Sequence, residues 1–287
     1  MVIFSLRDHF KSDQTIPDSS FFLEGNNGAL CFLIHGLTGT PNEMGSIGRR
    51  LNRAGYSVAV PLMKNHNKPI AILKKTRWQD MYESLKKDLS VYGPRYQNIY
   101  VAGLSFGALL GLLLARDFPD KVKAVTCFSP TLFYDGWASP KVKMLLPLGY
   151  YTPLKYWFYF KEDHPYGLKN ERLRSKVAEY YTKAGLNDYS KVHLYGYPVI
   201  PISCTYQNHL LAKYVMSMMG EVHTPIQLLQ AKDDDVTSPK NSQYIYDHVA
   251  SKDKELVFFE DSYHIIIADQ ERDKVAQKTV EFFDRHR

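Results

Sequence analysis

Apolar and polar residues along this 287-residue chain fall into two alternating patterns. Short, continuous apolar runs bounded by glycine, proline, histidine or charge predict buried strands at Ala29–Ile34, Tyr56–Val60, Asn98–Ala102, Val122–Phe128, Ile226–Ala231 and Leu256–Glu260. Between them the period lengthens. Trp78, Met81, Tyr82, Leu85 and Leu89 are spaced by three and four residues, which predicts an amphipathic helix over Arg77–Val91. Further helices are predicted over Glu43–Ala54, Ala108–Phe118, Ser238–Val249 and Asp269–Asp284. Strands that are apolar on both faces and alternate with helices imply an α/β fold, a mostly parallel central sheet with helices on both faces.

That rhythm stops between residues 134 and 221. These 88 residues hold 17 of the 39 aromatics and, with 11 Lys and Arg against 7 Asp and Glu, +4 of the +6 formal net charge. A block of this kind would interrupt a parallel sheet if it lay within it. It is therefore expected to be a helical insertion between core segments 1–133 and 222–287, sitting on one end of the sheet.

Composition narrows the class. Hydrophobic residues at 45% and charged residues at 23% exclude a disordered or coiled-coil chain. The three cysteines, Cys31, Cys127 and Cys204, are odd in number and lack metal-ligand spacing, so neither a disulfide scaffold nor a metal is expected. The longest apolar stretch, Ala108–Ala115, is far short of the roughly 20 residues that span a bilayer. Met1–Arg7 lacks the basic-then-apolar order of a signal peptide. The expectation is a cytoplasmic protein without stable membrane insertion. Lys and Arg are not clustered into runs, so no nucleic-acid partner is expected despite a pI near 8.9.

The sharpest chemical signal is Gly103-Leu104-Ser105-Phe106-Gly107, between a predicted strand and a predicted helix. A serine on such a turn needs unusual backbone angles and glycine neighbours, because β-carbons there would strike adjacent backbone. The turn lifts the hydroxyl above the sheet and aims the free N–H groups of the helix start at any oxyanion formed there. Ser105 is the candidate nucleophile. It needs a base, and in this arrangement the acid and then the histidine follow the serine. Of ten histidines, His264 lies beyond the strand Leu256–Glu260, on a loop before the last helix. The acid is expected in Lys232-Asp233-Asp234-Asp235-Val236, where one carboxylate meets His264 and the other two form a solvated turn.

With these motifs the chain resembles the α/β-hydrolase family, particularly bacterial carboxylesterases and monoglyceride-lipase relatives. The resemblance runs from Leu30 to the C-terminus, the insertion excepted. It rests on His35-Gly36-Leu37-Thr38-Gly39, on the Gly103–Gly107 turn, on Gln230–Val236 and on Ser262-Tyr263-His264. It implies Asp234 as the acid, with Asp235 the fallback, and the backbone N–H groups of Leu37 and Phe106 as oxyanion donors. It also implies a cap in the place of the aromatic block. One departure is visible: relatives commonly carry Gly-His-Gly where this chain has Asn65-His66-Asn67, which leaves the shape of that loop open. His35 is expected to be structural.

The implied function is hydrolysis of short- to medium-chain carboxylic esters through a Ser105–His264–Asp234 triad and an acyl-enzyme, with a small acyl ester as the partner molecule and no cofactor. Alternatives with the same residues are a thioesterase or acyltransferase, a peptidase, and a non-catalytic ligand-binding relative. Some cap aromatics are expected to face the cleft above Ser105.

Overall fold

The computed structural model describes residues 3–5, 16–139, 146–183 and 191–287. Its strands are β1 (Ile3–Ser5), β2 (Phe21–Leu23), β3 (Ala29–Ile34), β4 (Ser57–Val60), β5 (Asn98–Leu104), β6 (Val122–Phe128), β7 (Phe158–Lys161), β8 (Val199–Pro201), β9 (Ile226–Ala231) and β10 (Lys254–Phe259). Seven of them form the central sheet in the order β10-β9-β6-β5-β3-β4-β2. All neighbours are parallel except β2, which pairs antiparallel with β4 at the edge. The fold is α/β with a doubly covered, mostly parallel sheet.

Alternation along β3 shows how both faces are filled. Leu30, Phe32 and Ile34 join one apolar layer, and Ala29, Cys31 and Leu33 join the other. Helix Phe106–Asp117 is buried from Phe106 to Ala115, which accounts for the continuous apolar stretch read in the sequence. No helix among the described residues is long and apolar enough to cross a membrane.

Register decides where the chemistry goes. Ile34 pairs with Gly103, Leu104 with Phe128, Phe128 with Leu229 and Ala231 with Phe259. The strands therefore end together, and the segments beginning at His35, Ser105, Ser129, Lys232 and Glu260 leave the same edge of the sheet. In open parallel sheets this carboxyl edge is where ligands bind.

The aromatic segment contains helices Leu146–Tyr150, Glu171–Lys183, Val192–Tyr195 and Ile202–Met218. It also carries two short strands that the sequence pattern did not predict. β7 lies between β1 and β8 in a separate antiparallel sheet, so the N-terminal residues Ile3–Ser5 pair with the middle of the chain. Three- and four-residue strands are too short to register a period of two. Helix Ile202–Met218 places Cys204, Leu211, Val215 and Met218 in the same apolar layer as Leu30 and Phe32.

Candidate active site

Ser105 stands between β5 and helix Phe106–Asp117 with φ 58° and ψ −115°, a conformation that side-chain-bearing residues seldom adopt. The flanking glycines are obligatory on steric grounds. A β-carbon on Gly103 would lie 2.2 Å from the Gly107 carbonyl oxygen, and one on Gly107 would lie 2.4 Å from that of Ile34. The Ser105 N–H is held by the Phe128 carbonyl at 2.9 Å, and its Oγ rests 2.7 Å from Thr131 Oγ1. Thr131 follows β6 and is fully buried. It lies in no sequence motif.

The acid loop holds two buried carboxylates, where one was expected. Asp234 faces the ring of His264, with Nδ1 2.9 Å and 3.0 Å from its two oxygens. The Asp234 carboxylate also accepts the N–H groups of Val236 and Thr237 at 2.8 Å and the Gln230 amide at 2.7 Å. Asp235 is not solvated as expected from the sequence: it is 3% exposed, and one oxygen accepts the His264 backbone N–H at 3.2 Å. Its other oxygen accepts Gly167 N–H at 3.1 Å. One carboxylate thus meets the ring and its neighbour meets the backbone of the loop that carries His264. Only Asp233 of the three is exposed.

Burial opposes a charge on the His264 ring. The Asp234 carboxylate, and then Asp235 and Glu43, outweigh that effect and hold the imidazole above its ordinary pKa. Nδ1 facing a carboxylate fixes the tautomer, Nδ1–H toward Asp234 and Nε2 bare.

His35 and His66 shape the loop opposite. His35 Nδ1 lies 2.9 Å from Gly36 O, and its Nε2 accepts the Met63 N–H at 3.2 Å. That pattern needs a neutral ring, and burial pushes its pKa well down, helped by the neighbouring His66. His66 Nε2 lies 2.7 Å from the Leu37 carbonyl oxygen. Asn65 takes φ 66°, a left-handed angle that asparagine tolerates, so the loop turns here without glycine. Leu37 lies on the loop after β3 and Phe106 opens helix Phe106–Asp117, both at this edge, and Gly36 N–H is tied to Glu43 Oε2 at 2.7 Å.

A pocket opens over Ser105 and His264, between these loops and the aromatic segment. Among the described residues of the segment, the aromatics that line it are Tyr134, Phe160 and Tyr166. Tyr150, Tyr159, Tyr180, Tyr181 and Tyr197 are instead buried, while Trp137, Tyr151 and Trp157 face solvent. The polar lining is acidic: Glu43, Glu162, Asp163 and Asp235 contribute, and no Lys or Arg does among the described residues. Burial, with Asp235 and then Glu43 and Asp163 against the pull of His264, pushes Glu162 up to about 7. Neither Glu43 nor Glu162 carried a sequence signal, because neither sits in a motif. Among the described residues no cluster of His, Cys, Asp and Glu suited to a metal occurs.

Residues 25–271 match the family model described as Serine aminopeptidase, S33 (Hydrolase_4). The chain is 25% identical over 254 residues to the thermostable monoacylglycerol lipase of Bacillus sp. strain H-257, covering 88% of this chain and 90% of that protein. It is 24% identical over 279 residues to a carboxylesterase of Bacillus subtilis strain 168, covering 95% and 98%. A solved structure from work on the metagenome-derived lipolytic enzymes LipS and LipT superposes with a TM-score of 0.77 at 21% identity, covering 95% of this chain and 100% of that one. The last comparison establishes likeness of fold.

Proposed function

Since the chain belongs to the Hydrolase_4 (Serine aminopeptidase, S33) family, we propose that it is a serine hydrolase that cleaves carboxylic esters of short- to medium-chain acids. The observation that carries this reading is the convergence of three residues at one sheet edge. Ser105 sits on a strained turn in the pocket, His264 lines the same pocket, and Asp234 fixes the histidine from behind. The two curated relatives are named for ester substrates, which supports ester cleavage over the other reactions open to such a triad.

In this mechanism His264 Nε2 takes the Ser105 proton as Oγ attacks the ester carbonyl. At rest the hydroxyl is bonded to Thr131, so the step begins with a rotation about the Ser105 Cα–Cβ bond toward His264. The Leu37 and Phe106 N–H groups receive the oxyanion, each worth about 10²–10³ in rate. Asp234 stabilises the imidazolium, which then protonates the leaving alcohol. Water repeats the sequence on the acyl-enzyme and releases the acid. Every step is proton transfer and acyl transfer among these residues.

Residues 134–221 serve in this reading as the cap over a core of 1–133 and 222–287. Tyr134, Phe160 and Tyr166 are its wall for the substrate. The acidic lining disfavours polyanionic thioesters such as acyl-CoA, because each approaching phosphate meets like charge. The same lining, together with the family description, favours one second reading: a peptidase whose substrate ammonium group faces Glu43 and Glu162. A cytoplasmic setting is part of the reading and is supported by Cys31, Cys127 and Cys204 being free and buried.

The test is covalent labelling by a fluorophosphonate, with Ser105→Ala as control, followed by turnover of p-nitrophenyl esters from C2 to C16, acyl-CoAs and aminoacyl anilides. Labelling at Ser105 with ester turnover rising from C2 toward C4–C10 supports the esterase. Anilide turnover above ester turnover supports the peptidase. Absence of labelling refutes both.

A further inference from the structure

Two buried carboxylates fasten one stretch of the aromatic segment to the loop that carries His264. Asp235, 3% exposed, accepts Gly167 N–H with one oxygen and His264 N–H with the other. Asp269, fully buried, accepts Lys169 N–H at 2.8 Å and Asn170 N–H at 2.7 Å, and also Tyr263 N–H at 2.8 Å. Between these two staples, Ile265 N–H donates to the Gly167 carbonyl at 2.9 Å. Residues 163–170 and 263–265 are thus joined at six backbone N–H groups and one carbonyl, although about 100 residues separate them in sequence. Asp163, His164, Pro165, Tyr166 and Gly167 line the pocket, so the stretch joined to the histidine is also a wall of the site.

We propose that Asp235 is a positioning residue for His264, setting the base and the pocket wall as one unit and lending its negative charge to the imidazolium. The inference rests on His264 being the base, as in the reading above. A carboxylate this deeply buried is costly unless its oxygens are satisfied. Both Asp235 oxygens are satisfied by backbone donors, one from each side of the seam, and among the described residues it forms no ion pair with Lys or Arg. An asparagine offers one acceptor oxygen and turns an NH₂ group toward the other N–H, so one of the two bonds must break. Gly167 is suited to the junction: its φ is +70°, and a β-carbon would lie 2.8 Å from the Ile265 side chain.

Among the described residues, four carboxylates bear on the charge of His264. Asp234 meets the ring, Asp235 the backbone, Glu43 lies across the pocket and Glu162 immediately precedes the stapled stretch. All are acidic, so each favours the protonated ring. Lys169, the nearby cation, is paired with Asp261 at 3.0 Å. Activity requires the neutral ring, so kcat/KM rises with pH through the His264 titration. Removing the Asp235 charge lowers the pH at which the ring becomes neutral, and the acid limb of the profile moves down.

The experiment is the pH dependence of kcat/KM on a butyrate ester for wild type, Asp235→Asn, Asp235→Ser and Asp269→Asn, each checked by thermal melting. For Asp235→Asn the limb should fall by roughly half to one pH unit, with kcat reduced about tenfold. Asp269→Asn should raise KM a few-fold and leave the limb in place, since it holds the seam but touches Tyr263 and not His264. Asp235→Ser removes the charge with a smaller side chain and must move the limb in the same direction, which covers the case in which the asparagine variant does not fold. An unmoved limb in the folded charge-removal variant overturns the proposal, since a purely structural residue would change the amount of active enzyme and not its titration. A wild type without esterase activity or Ser105 labelling overturns the esterase reading itself.

Discussion

The turn around Ser105 and the stretch around Gly167 both touch the pocket, yet they are built in opposite ways. Residues 98–117 assemble their part from neighbours: strand, glycine, serine, glycine and helix follow one another, and every clash that demands glycine comes from within the turn or from the adjacent strand end at Ile34. Residues 163–170 contain no such self-sufficient unit. They are held by Asp235 and Asp269, which come from the far end of the chain, and by pairing of the adjoining β7 with β1 and β8. Local steric necessity gives the reactive turn a fixed geometry whatever covers it. The wall depends on long-range hydrogen bonds, so in the proposed reading a few substitutions there can alter substrate range without disturbing Ser105.

The largest effect should come from the turn. Ser105→Ala is expected to lower turnover by about 10³–10⁶ with the melting temperature little changed. Retention of activity within tenfold would remove Ser105 from the mechanism. Next is the acid. Asp234→Asn should cost about 10²–10⁴ in kcat, because an amide favours the wrong histidine tautomer, whereas exposed Asp233→Asn should stay within twofold. Similar losses at both positions in a kinetic comparison would mean that the loop acts by general charge and not by its contact with Nδ1.

Glycine substitutions sharpen the contrast between the two regions. Gly107→Ala drives a β-carbon into the Ile34 and His35 carbonyls, both backbone atoms, and should lower stability by about 1–3 kcal/mol or more, read as a drop in melting temperature together with lost activity. Gly167→Ala meets the movable Ile265 side chain and pays mainly for its positive φ, about 1–2 kcal/mol. It should raise KM more than it lowers kcat. If Gly167→Ala proved the more damaging to kcat, the division between a rigid turn and an adjustable wall would be wrong.

The smallest effect is a pH dependence. Glu162 has its pKa raised from 4.5 to about 7 in the folded chain, so between those values the folded state holds a proton that the unfolded state has lost. Stability therefore falls as pH rises through this window. Glu162→Gln should abolish that slope. Melting curves should coincide near pH 4 and separate by about 1–3 °C at pH 8, with the variant the more stable. A variant less stable at pH 8 would show that the ionised carboxylate is stabilising.

Much of this was legible in the sequence. β3, β6 and β9 occupy the ranges that their apolar runs predict, because strands buried on both faces leave an uninterrupted hydrophobic record. The structure brings Asp234 and His264 into contact, and both loops leave the edge that carries Ser105. Other residues left no such record. Asp235 looked like a solvated neighbour of the acid because three consecutive aspartates read as a polar turn, and burial of the third follows only from the loop folding under Gly167. Thr131, Glu43 and Glu162 lie in no motif, and their places near Ser105 and His264 come from strand register and from the aromatic segment closing over the edge.

The α/β alternation and the serine turn were legible from residue order alone, since they depend on periodicity and steric exclusion between neighbours, and the histidine and acid loops were legible from their order after the serine. Tertiary structure alone decided which of the pocket's carboxylates are buried, which three aromatics line it, and that Asp235 ties the wall to the histidine. The physical reason is the range of the interactions. Backbone sterics and hydrophobic period act between neighbours in sequence, while the hydrogen bonds and electrostatic fields that shape the site act between atoms close in space, about 70 to 100 residues apart along the chain.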